Sequence, residues 1–440
     1  MRSFLETDPV NDIILMFIVG IISIITTIGG VGGGGLLIPL YMLFGGFLLE
    51  ESIPLTIFTI LGDTLVRIFF LYNKKHPLNK KRDLIYFNPL LIITLFDANT
   101  SFFGVILSNY CPSLITIISL ISILGITFYK SIIKAVSTYQ KEIDYLNNPN
   151  SDLTLIMIDG IGEYFNINKV KNENSNIEIE FNNIRKNNNY EMIEQDVVID
   201  GIELMNRNDI ENNSVKYIGD LRRHKYFNTF LMFLNTSIIS VFSYTRKYFN
   251  VCNYLYWVHS FGQFLVCGLL GYYTINYLID DYRNKKNNNY IFIDGDISWN
   301  MNVIRKFIMI GSITGFISTY IGIGGGMLTT PIMIQVGMLP EVVVATSSIS
   351  TLFSCIISSL NYMSSDKLPI EYGAVFAVCS GIGSIGGIYS SNYILNKYKK
   401  QSPIIFVVSL IIFMSVILLS VNAFQSKIIY ETKFKNVCDE

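Results

Sequence analysis

The apolar residues of this 440-residue chain are grouped into long runs separated by polar loops. The runs approach the roughly 20 residues that a helix needs to cross the hydrocarbon core of a bilayer. Eight full spans are predicted, at residues 53–72, 84–107, 113–133, 226–242, 251–279, 341–362, 370–395 and 404–421. Two further apolar segments, residues 13–47 and 307–338, are each interrupted by a cluster of glycines. The pattern therefore predicts an all-α polytopic membrane protein with eight full spans and two broken hairpins.

The two glycine clusters form an internal repeat in which equivalent positions are 292 residues apart. The first copy is Gly30-Val31-Gly32-Gly33-Gly34 with Pro39 and Gly45, and the second is Gly322-Ile323-Gly324-Gly325-Gly326 with Pro331 and Gly337. Each glycine costs about 1 kcal/mol relative to alanine in a helix interior, so a helix is predicted to end at each cluster and another to begin. We expect Gly30, Pro39, Gly322 and Pro331 to shape these breaks. Discontinuous helices at matching places of two halves are typical of a transporter binding site.

Four basic clusters agree with a single membrane topology, because basic residues in short loops mark the cytosolic side. They lie at residues 74–82, 222–225, 283–286 and 397–400. With all four in the cytosol, the second repeat is inverted relative to the first and both termini lie on the opposite side. The two glycine breaks are then expected to meet near the bilayer midplane. Each hairpin arm is predicted to be too short for a full crossing, which makes the hairpins re-entrant.

The predicted spans divide the chain into five parts. These are an N-terminal transmembrane repeat at 1–136, an insert at 137–225, two linking spans and a basic loop at 226–300, a C-terminal transmembrane repeat at 301–424 and a short tail at 425–440. The insert is rich in asparagine and mixed charge. Because it lacks the apolar residues to build a core, it is predicted to be disordered.

Composition narrows the function classes. Charged residues make up 15% of the chain, against about 25% in soluble domains, and the formal net charge of −1 argues against nucleic acid as a partner. The six cysteines are scattered, so neither a disulfide framework nor a metal site is expected. No nucleophile and base stand at a workable spacing, and neither an enzyme activity nor a cofactor is predicted. The expected partners are the lipid bilayer and a small anionic substrate, with the oligomeric state left open.

The glycine turns are the candidate binding site. Helix N-termini present free N–H groups and about half a positive charge, and glycine lets a ligand approach the main chain closely. We expect an oxyanion to be held by six glycines with support from two hydroxyls, namely Gly32, Gly33, Gly34, Gly324, Gly325, Gly326, Thr346 and Ser347. The alternative is that these small residues only permit close helix packing.

Four ionisable residues within the spans are candidates for proton coupling, since such groups are costly at membrane depth. Asp63 and Arg67 share a helix face and are expected to pair, either for coupling or only to fix packing. Asp97 has no obvious local partner, and either couples to a proton or bonds to a neighbouring helix. His259 is a candidate proton relay, but the aromatic residues around it favour a place at the membrane interface.

With these residues in view, the chain resembles the sulfite exporter TauE/SafE family. The resemblance rests on the two motifs Gly-Val-Gly-Gly-Gly-x4-Pro39 and Gly-Ile-Gly-Gly-Gly-x4-Pro331, followed by Pro340 and Ala345-Thr346-Ser347, and it covers residues 13–133 and 301–421. It implies export of sulfite, sulfoacetate or related sulfur-containing or organic anions. Asp97, and Asp63 with Arg67, depart from the smaller residues common in the family, which implies a different substrate or proton coupling.

The sequence thus predicts a secondary transporter that exports a small anion by alternating access, without an ATP-binding motif. A non-transporting membrane scaffold or receptor adaptor, acting through residues 137–225, is the alternative function. Deleting that insert separates the two, because a transporter should keep its flux whereas an adaptor should lose its partner.

Overall fold

The computed structural model describes residues 9–29, 32–76, 83–147, 207–249, 251–287, 297–365, 367–398 and 402–425. Within these ranges the chain forms twelve helices: α1 (Pro9–Gly29), α2 (Gly34–Leu43), α3 (Leu49–Leu71), α4 (Phe87–Tyr110), α5 (Ser113–Asn147), α6 (Arg207–Arg246), α7 (Tyr254–Asn287), α8 (Met301–Ile321), α9 (Gly325–Gln335), α10 (Pro340–Ser364), α11 (Ile370–Tyr398) and α12 (Ser402–Gln425). Helices α1–α5 and α8–α12 follow the same order of a long, a short and three long helices.

Seven of these helices are long and apolar enough to cross a membrane: α1, α3, α4, α5, α6, α10 and α11. The protein is therefore an integral, multi-pass membrane protein with an all-α fold. Six of the seven coincide with predicted full spans. Helix α7, which is interrupted by polar residues, is not among the seven, and the apolar part of α12, Ile405–Val421, is shorter than a full span.

The glycine clusters join helices of unequal length. Helices α1 and α8 have 21 residues each, about 31 Å at 1.5 Å per residue, so the prediction that both arms of each hairpin are short is wrong for the first arms. Helices α2 and α9 have only 10 and 11 residues. Each turn therefore joins a full-length helix to a half-length one.

The sequence suggested that Pro39 and Pro331 help to shape the helix breaks. In the structure, neither proline interrupts its half-helix. Both lie inside, in α2 and α9, and each helix continues beyond its proline. A proline removes one backbone hydrogen bond, and burial against neighbouring helices keeps such a short helix intact. Gly30 lies outside the described residues.

Helix extends into both ends of the segment predicted to be a disordered insert. Helix α5 continues to Asn147 and α6 begins at Arg207. Gln140, Lys141 and Glu142 are good helix formers and carry α5 past its apolar part. Residues 148–206, and the tail from 426, lie outside the described residues.

Each repeat packs its first helix on the fourth helix of the other repeat. Helix α1 lies against α11, where Gly383 and Gly387 face the α1 backbone at Gly20 and Ile24. In the same way α8 lies against α4, with Gly311 and Gly315 on its backbone. The missing side chains let the helix axes approach closely, so the two repeats are interlocked.

Helices α3 and α10, which are equivalent in the two repeats, run antiparallel. Glu50 at the start of α3 pairs with Lys367 beyond the end of α10, at 3.3 Å. Near the end of α3, Arg67 donates to the Ser348 hydroxyl in the first half of α10, at 3.5 Å. Lys74, just beyond α3, interacts electrostatically with Glu341 in the first turn of α10.

One end of the bundle gathers basic segments that are remote in sequence. Lys225 at the start of the apolar part of α6 pairs with Asp83 in the α3–α4 loop, at 3.1 Å, and Lys74 in that loop donates to Asn392 of α11, at 2.6 Å. We call this the loop-72–86 end. Glu50 and Lys367 lie at the opposite end.

Candidate functional site

The two glycine turns, residues 32–34 and 322–326, touch through their backbones. A Cβ atom built on Gly34 would lie 2.5 Å from backbone atoms of Ile323. That separation is far below a van der Waals contact, so only glycine fits at position 34. The structure thus brings together two turns that are almost 300 residues apart in sequence.

The side chain of Ile60 on α3 fills the space between the turns. Its Cγ2 atom would lie 2.8 Å from a Cβ on Gly32, and its Cδ1 atom 2.9 Å from a Cβ on Gly324. Both turns therefore rest on one isoleucine, which no charge or motif in the sequence singles out.

Glycine is also needed for the backbone conformation at three positions of the turns. Gly33 caps the start of α2 with φ 70°, Gly324 caps the start of α9 with φ 71°, and Gly322 caps the end of α8 with φ 80°. Other residues rarely adopt a positive φ. These angles reverse the chain so that the half-helices begin at the contact between the repeats, and their first N–H groups have no partner within the helix.

Asp97 of α4 lies at the N-terminus of α9. Its Oδ1 atom is 3.8 Å, and the Ser354 hydroxyl 3.5 Å, from a Cβ built on Gly325. The side chain is 1% exposed, and neither carboxylate oxygen makes a hydrogen bond of normal geometry with a described residue, although Ser354 lies beside it. A negative charge is favourable at a helix N-terminus, so α9 stabilises this carboxylate without neutralising it.

Asp63 and Arg67 form the ion pair that their spacing predicts. Both are buried on α3, where the Thr27 hydroxyl donates to Asp63 Oδ1 at 2.8 Å. Cys355 of α10 interacts electrostatically with Asp97, Arg67 and Asp63. Three of the four candidate coupling residues therefore share one buried neighbourhood beside the turns.

Thr346 and Ser347 are engaged away from the glycines. The Thr346 hydroxyl accepts from the Tyr86 backbone N–H at 3.1 Å, and the Ser347 hydroxyl accepts from Thr330 at 2.9 Å. The α10 residues that face the second turn are instead Thr351 and Ser354. Ser347 shares one helical stripe with these two residues, since hydroxyls at 347, 351, 354 and 358 recur every three or four residues.

His259 does not join the buried group. It lies in the α6–α7 corner, where its Nε2 is 2.8 Å from the Thr245 hydroxyl and its ring packs against Phe242 and Phe249. This surrounding agrees with the interfacial alternative rather than with a relay beside the turns.

Comparison with known proteins adds independent findings. The family model described as Sulfite exporter TauE/SafE matches residues 307–435, which include the second turn. The chain is 21% identical over 410 residues to Sulfite exporter TauE/SafE family protein 1 of Arabidopsis thaliana, covering 90% of this chain and 80% of the relative. The chain is thus similar to TauE/SafE family proteins over most of its length.

Further relatives show the same similarity. Sulfite exporter TauE/SafE family protein 3 of Arabidopsis thaliana is 24% identical over 89% of this chain and 74% of its own length. Probable membrane transporter protein YunE of Bacillus subtilis is 29% identical over 92 residues, which are 19% of this chain and 34% of that protein. No solved structure matches the chain. The protein is therefore a membrane transporter of the TauE/SafE type.

Proposed function

We propose that this protein exports a small oxyanion, sulfite or a related sulfur-containing or organic anion, by alternating access. The contact between Gly34 and Ile323 carries the proposal, because it brings the N-termini of α2 and α9 to one place. Two helix N-termini supply N–H donors and partial positive charge, as an anion requires. Sulfite is the substrate in the names of the relatives.

The antiparallel course of α3 and α10 supports inverted repeats, the architecture that alternating access commonly uses. In this proposal the loop-72–86 end, with its basic loops, faces the cytosol. Ile60 and the touching turns separate the two sides in the present conformation. Export then requires the repeats to rock so that the turns open to one side at a time.

We propose further that Asp97 couples transport to a proton. Its carboxylate and an incoming anion compete for the same end of α9, so binding of the anion is favoured when Asp97 is protonated. The groups around it are the Ser354 hydroxyl and Cys355 of α10, the glycine backbones of α8 and α9, and the nearby Asp63–Arg67 pair. Arg67 is already paired with Asp63, and Asp97 has no charged partner among the described residues around it.

Flux measurements in proteoliposomes test the proposal. Purified wild type, Gly34→Ala and the matched control Gly125→Ala are compared for movement of labelled sulfite, sulfate and small organic acids, with and without a pH gradient. A Cβ on Gly125 meets nothing within 4 Å, so this variant should behave as wild type. We expect saturable flux in the wild type and loss of that flux in Gly34→Ala. Absence of flux with every anion in monodisperse wild-type protein would overturn the proposal.

A further inference from the structure

A second polar region lies at the end of the bundle opposite loop 72–86, and no residue of the glycine turns is in its described lining. A cavity of about 140 Å³ opens there between the ends of α4, α6 and α10. Its described lining includes three basic side chains, Arg246, Lys247 and Lys367, and contains no aspartate or glutamate. The lining is therefore basic, and Lys367 in it also pairs with Glu50, at 3.3 Å. The size of the cavity suits a small ion or a headgroup.

Arg246 is the unusual member of this lining. It is 5% exposed, and its guanidinium stacks on the Phe102 ring, with 3.8 Å to the ring centroid. It donates to the side-chain oxygens of Gln263 and, at 3.4 Å, Asn361, while its Nε has no hydrogen-bond partner among the described residues.

No carboxylate of the described residues pairs with Arg246, in contrast to the buried Arg67. Burying a charge is costly unless an opposite charge or strong hydrogen bonds compensate it. Neutral amides and an aromatic ring hold the guanidinium in a fixed orientation but leave its charge unbalanced. Such an arrangement is suited to an anion that arrives from outside the chain.

We propose that this cavity binds an oxyanion on the Arg246 guanidinium, with the Asn109 amide in the same lining. A guanidinium presents a planar fork of donors that matches phosphate, sulfate and carboxylate oxygens. The oxyanion is either a free inorganic anion or the phosphate of a phospholipid headgroup, because exposed Tyr254 and Trp257 mark this end as a membrane interface. The proposal does not depend on the glycine turns.

Tryptophan fluorescence offers a local readout. The chain has two tryptophans, and Trp299 precedes α8 at the loop-72–86 end, where Ile297 also contacts Tyr86. The Trp257 indole donates to the carbonyl of Val251, which lines the cavity, at 3.1 Å. A Trp299→Phe background therefore leaves one reporter, beside the proposed site.

In the first arm of the test, full-length Trp299→Phe protein in a phosphate-free detergent is titrated with sulfite, sulfate and phosphate against matched chloride. A saturable change is expected. Arg246→Gln should weaken it about ten- to a hundredfold, as loss of a hydrogen bond to a charged group does, and Arg246→Lys should weaken it less. Arg305→Gln, at an exposed arginine of α8, is the control and should bind as the background does.

The second arm tests a lipid headgroup. Protein taken from phospholipid nanodiscs is analysed by native mass spectrometry, and retained phospholipid that is lost in Arg246→Gln would identify the headgroup as the occupant. Ser365→Phe fills the cavity while leaving Arg246 in place, so it should abolish binding in whichever arm shows it, even if Arg246→Gln proves unstable.

Equal binding by the background, Arg246→Gln and Ser365→Phe in both arms, or binding in neither arm, would overturn the proposal. Gly34→Ala should keep this site whether or not it transports. The oxyanion cavity and the glycine-turn site can therefore fail separately.

Discussion

The two repeats share a backbone plan but differ in where they carry charge. At equivalent positions, 292 residues apart, α3 has Gly62, Asp63 and Arg67, while α10 has Ser354, Cys355 and Ser359. Around the first turn, Gly32 and Gly33 meet the side chains of Ile60 and Thr26. Around the second turn, Gly325 meets Ser354 and the carboxylate of Asp97.

The two repeats therefore differ in the charged groups around their turns. In the first repeat, Asp63 and Arg67 form a buried ion pair on one helix. The half-helix of the second repeat begins beside the Asp97 carboxylate of α4, for which the described residues supply no ion-pair partner. Backbone symmetry therefore supplies two similar helix ends, and side-chain asymmetry places a carboxylate beside the second of them.

The largest effect is expected from opening the ion pair of the first repeat. Asp63→Asn leaves Arg67 buried without its counter-charge, which typically destabilises a protein by about 3–5 kcal/mol. The matched change in the second repeat, Cys355→Ser, breaks no ion pair and should cost much less. Thermal unfolding of the purified proteins measures both. Similar losses in the two variants would mean that the pair does not distinguish the repeats.

Next in size is the effect of a single methyl group at the two turns. Gly34→Ala forces a Cβ into the Ile323 backbone, which cannot move aside as a side chain can, and overpacking costs about 1–3 kcal/mol. Gly325→Ala meets Ser354 and Asp97 at ordinary contact distances. We expect a clear fall in melting temperature only for Gly34→Ala, and equal falls would contradict the close backbone contact.

Substitution of Asp97 is expected to have a smaller effect on stability but a distinct effect on transport. Asp97→Asn keeps the shape and removes the titratable charge, so the fold should be retained and the anion should still move. The stimulation of flux by a proton gradient should disappear. Glu50→Gln, a carboxylate-to-amide change at the end of the bundle, serves as the control and should keep that stimulation. A wild-type response to the gradient in Asp97→Asn would place coupling elsewhere.

The smallest effect concerns the loop that follows α3. Burial alone would raise the pKa of the Asp83 carboxyl, but hydrogen bonds and charge from Lys75 and Lys225 outweigh it and hold the pKa below its ordinary value. Asp83 therefore stabilises the fold above the unfolded-state pKa, and this stabilisation is lost as the pH falls through the lowered folded-state value.

Asp83→Asn should accordingly lower stability at neutral pH by about 0.2–1 kcal/mol, as for exposed pairs. The difference from wild type should shrink below about pH 4, where aspartate begins to protonate. Unfolding curves at several pH values measure it. Lys367→Gln, which opens the corresponding Lys367–Glu50 contact after α10, gives the comparison for the second repeat. A difference in stability that grows towards acid pH would contradict the lowered pKa of Asp83.

The sequence predicted the parts of this fold that depend on local patterns. Apolar runs placed six of the spans, the 292-residue spacing identified the repeat, and a separation of four residues predicted the Asp63–Arg67 pair. These inferences need only helix periodicity and the conformational preference of glycine.

What the sequence missed depends on neighbours that are remote in the chain. Helix α1 starts before its apolar run and includes buried Asp12, whose carboxylate accepts from Tyr372 of α11 at 3.1 Å. Thr351 and Ser354 lie against the second turn because the rotation of α10 is set by its packing. Arg246 gains its surroundings only when α4, α6 and α10 end at the same place.

The exchange of first helices between the repeats also affects how the chain is made. The Ser23 hydroxyl of α1 bonds to that of Ser380 in α11 at 2.8 Å, across 357 residues. Because α11 is synthesised long after α1, the first half must wait in the bilayer without its final neighbours. Each half, expressed alone, should therefore insert but remain incomplete, and co-expression of the two halves should restore the assembly.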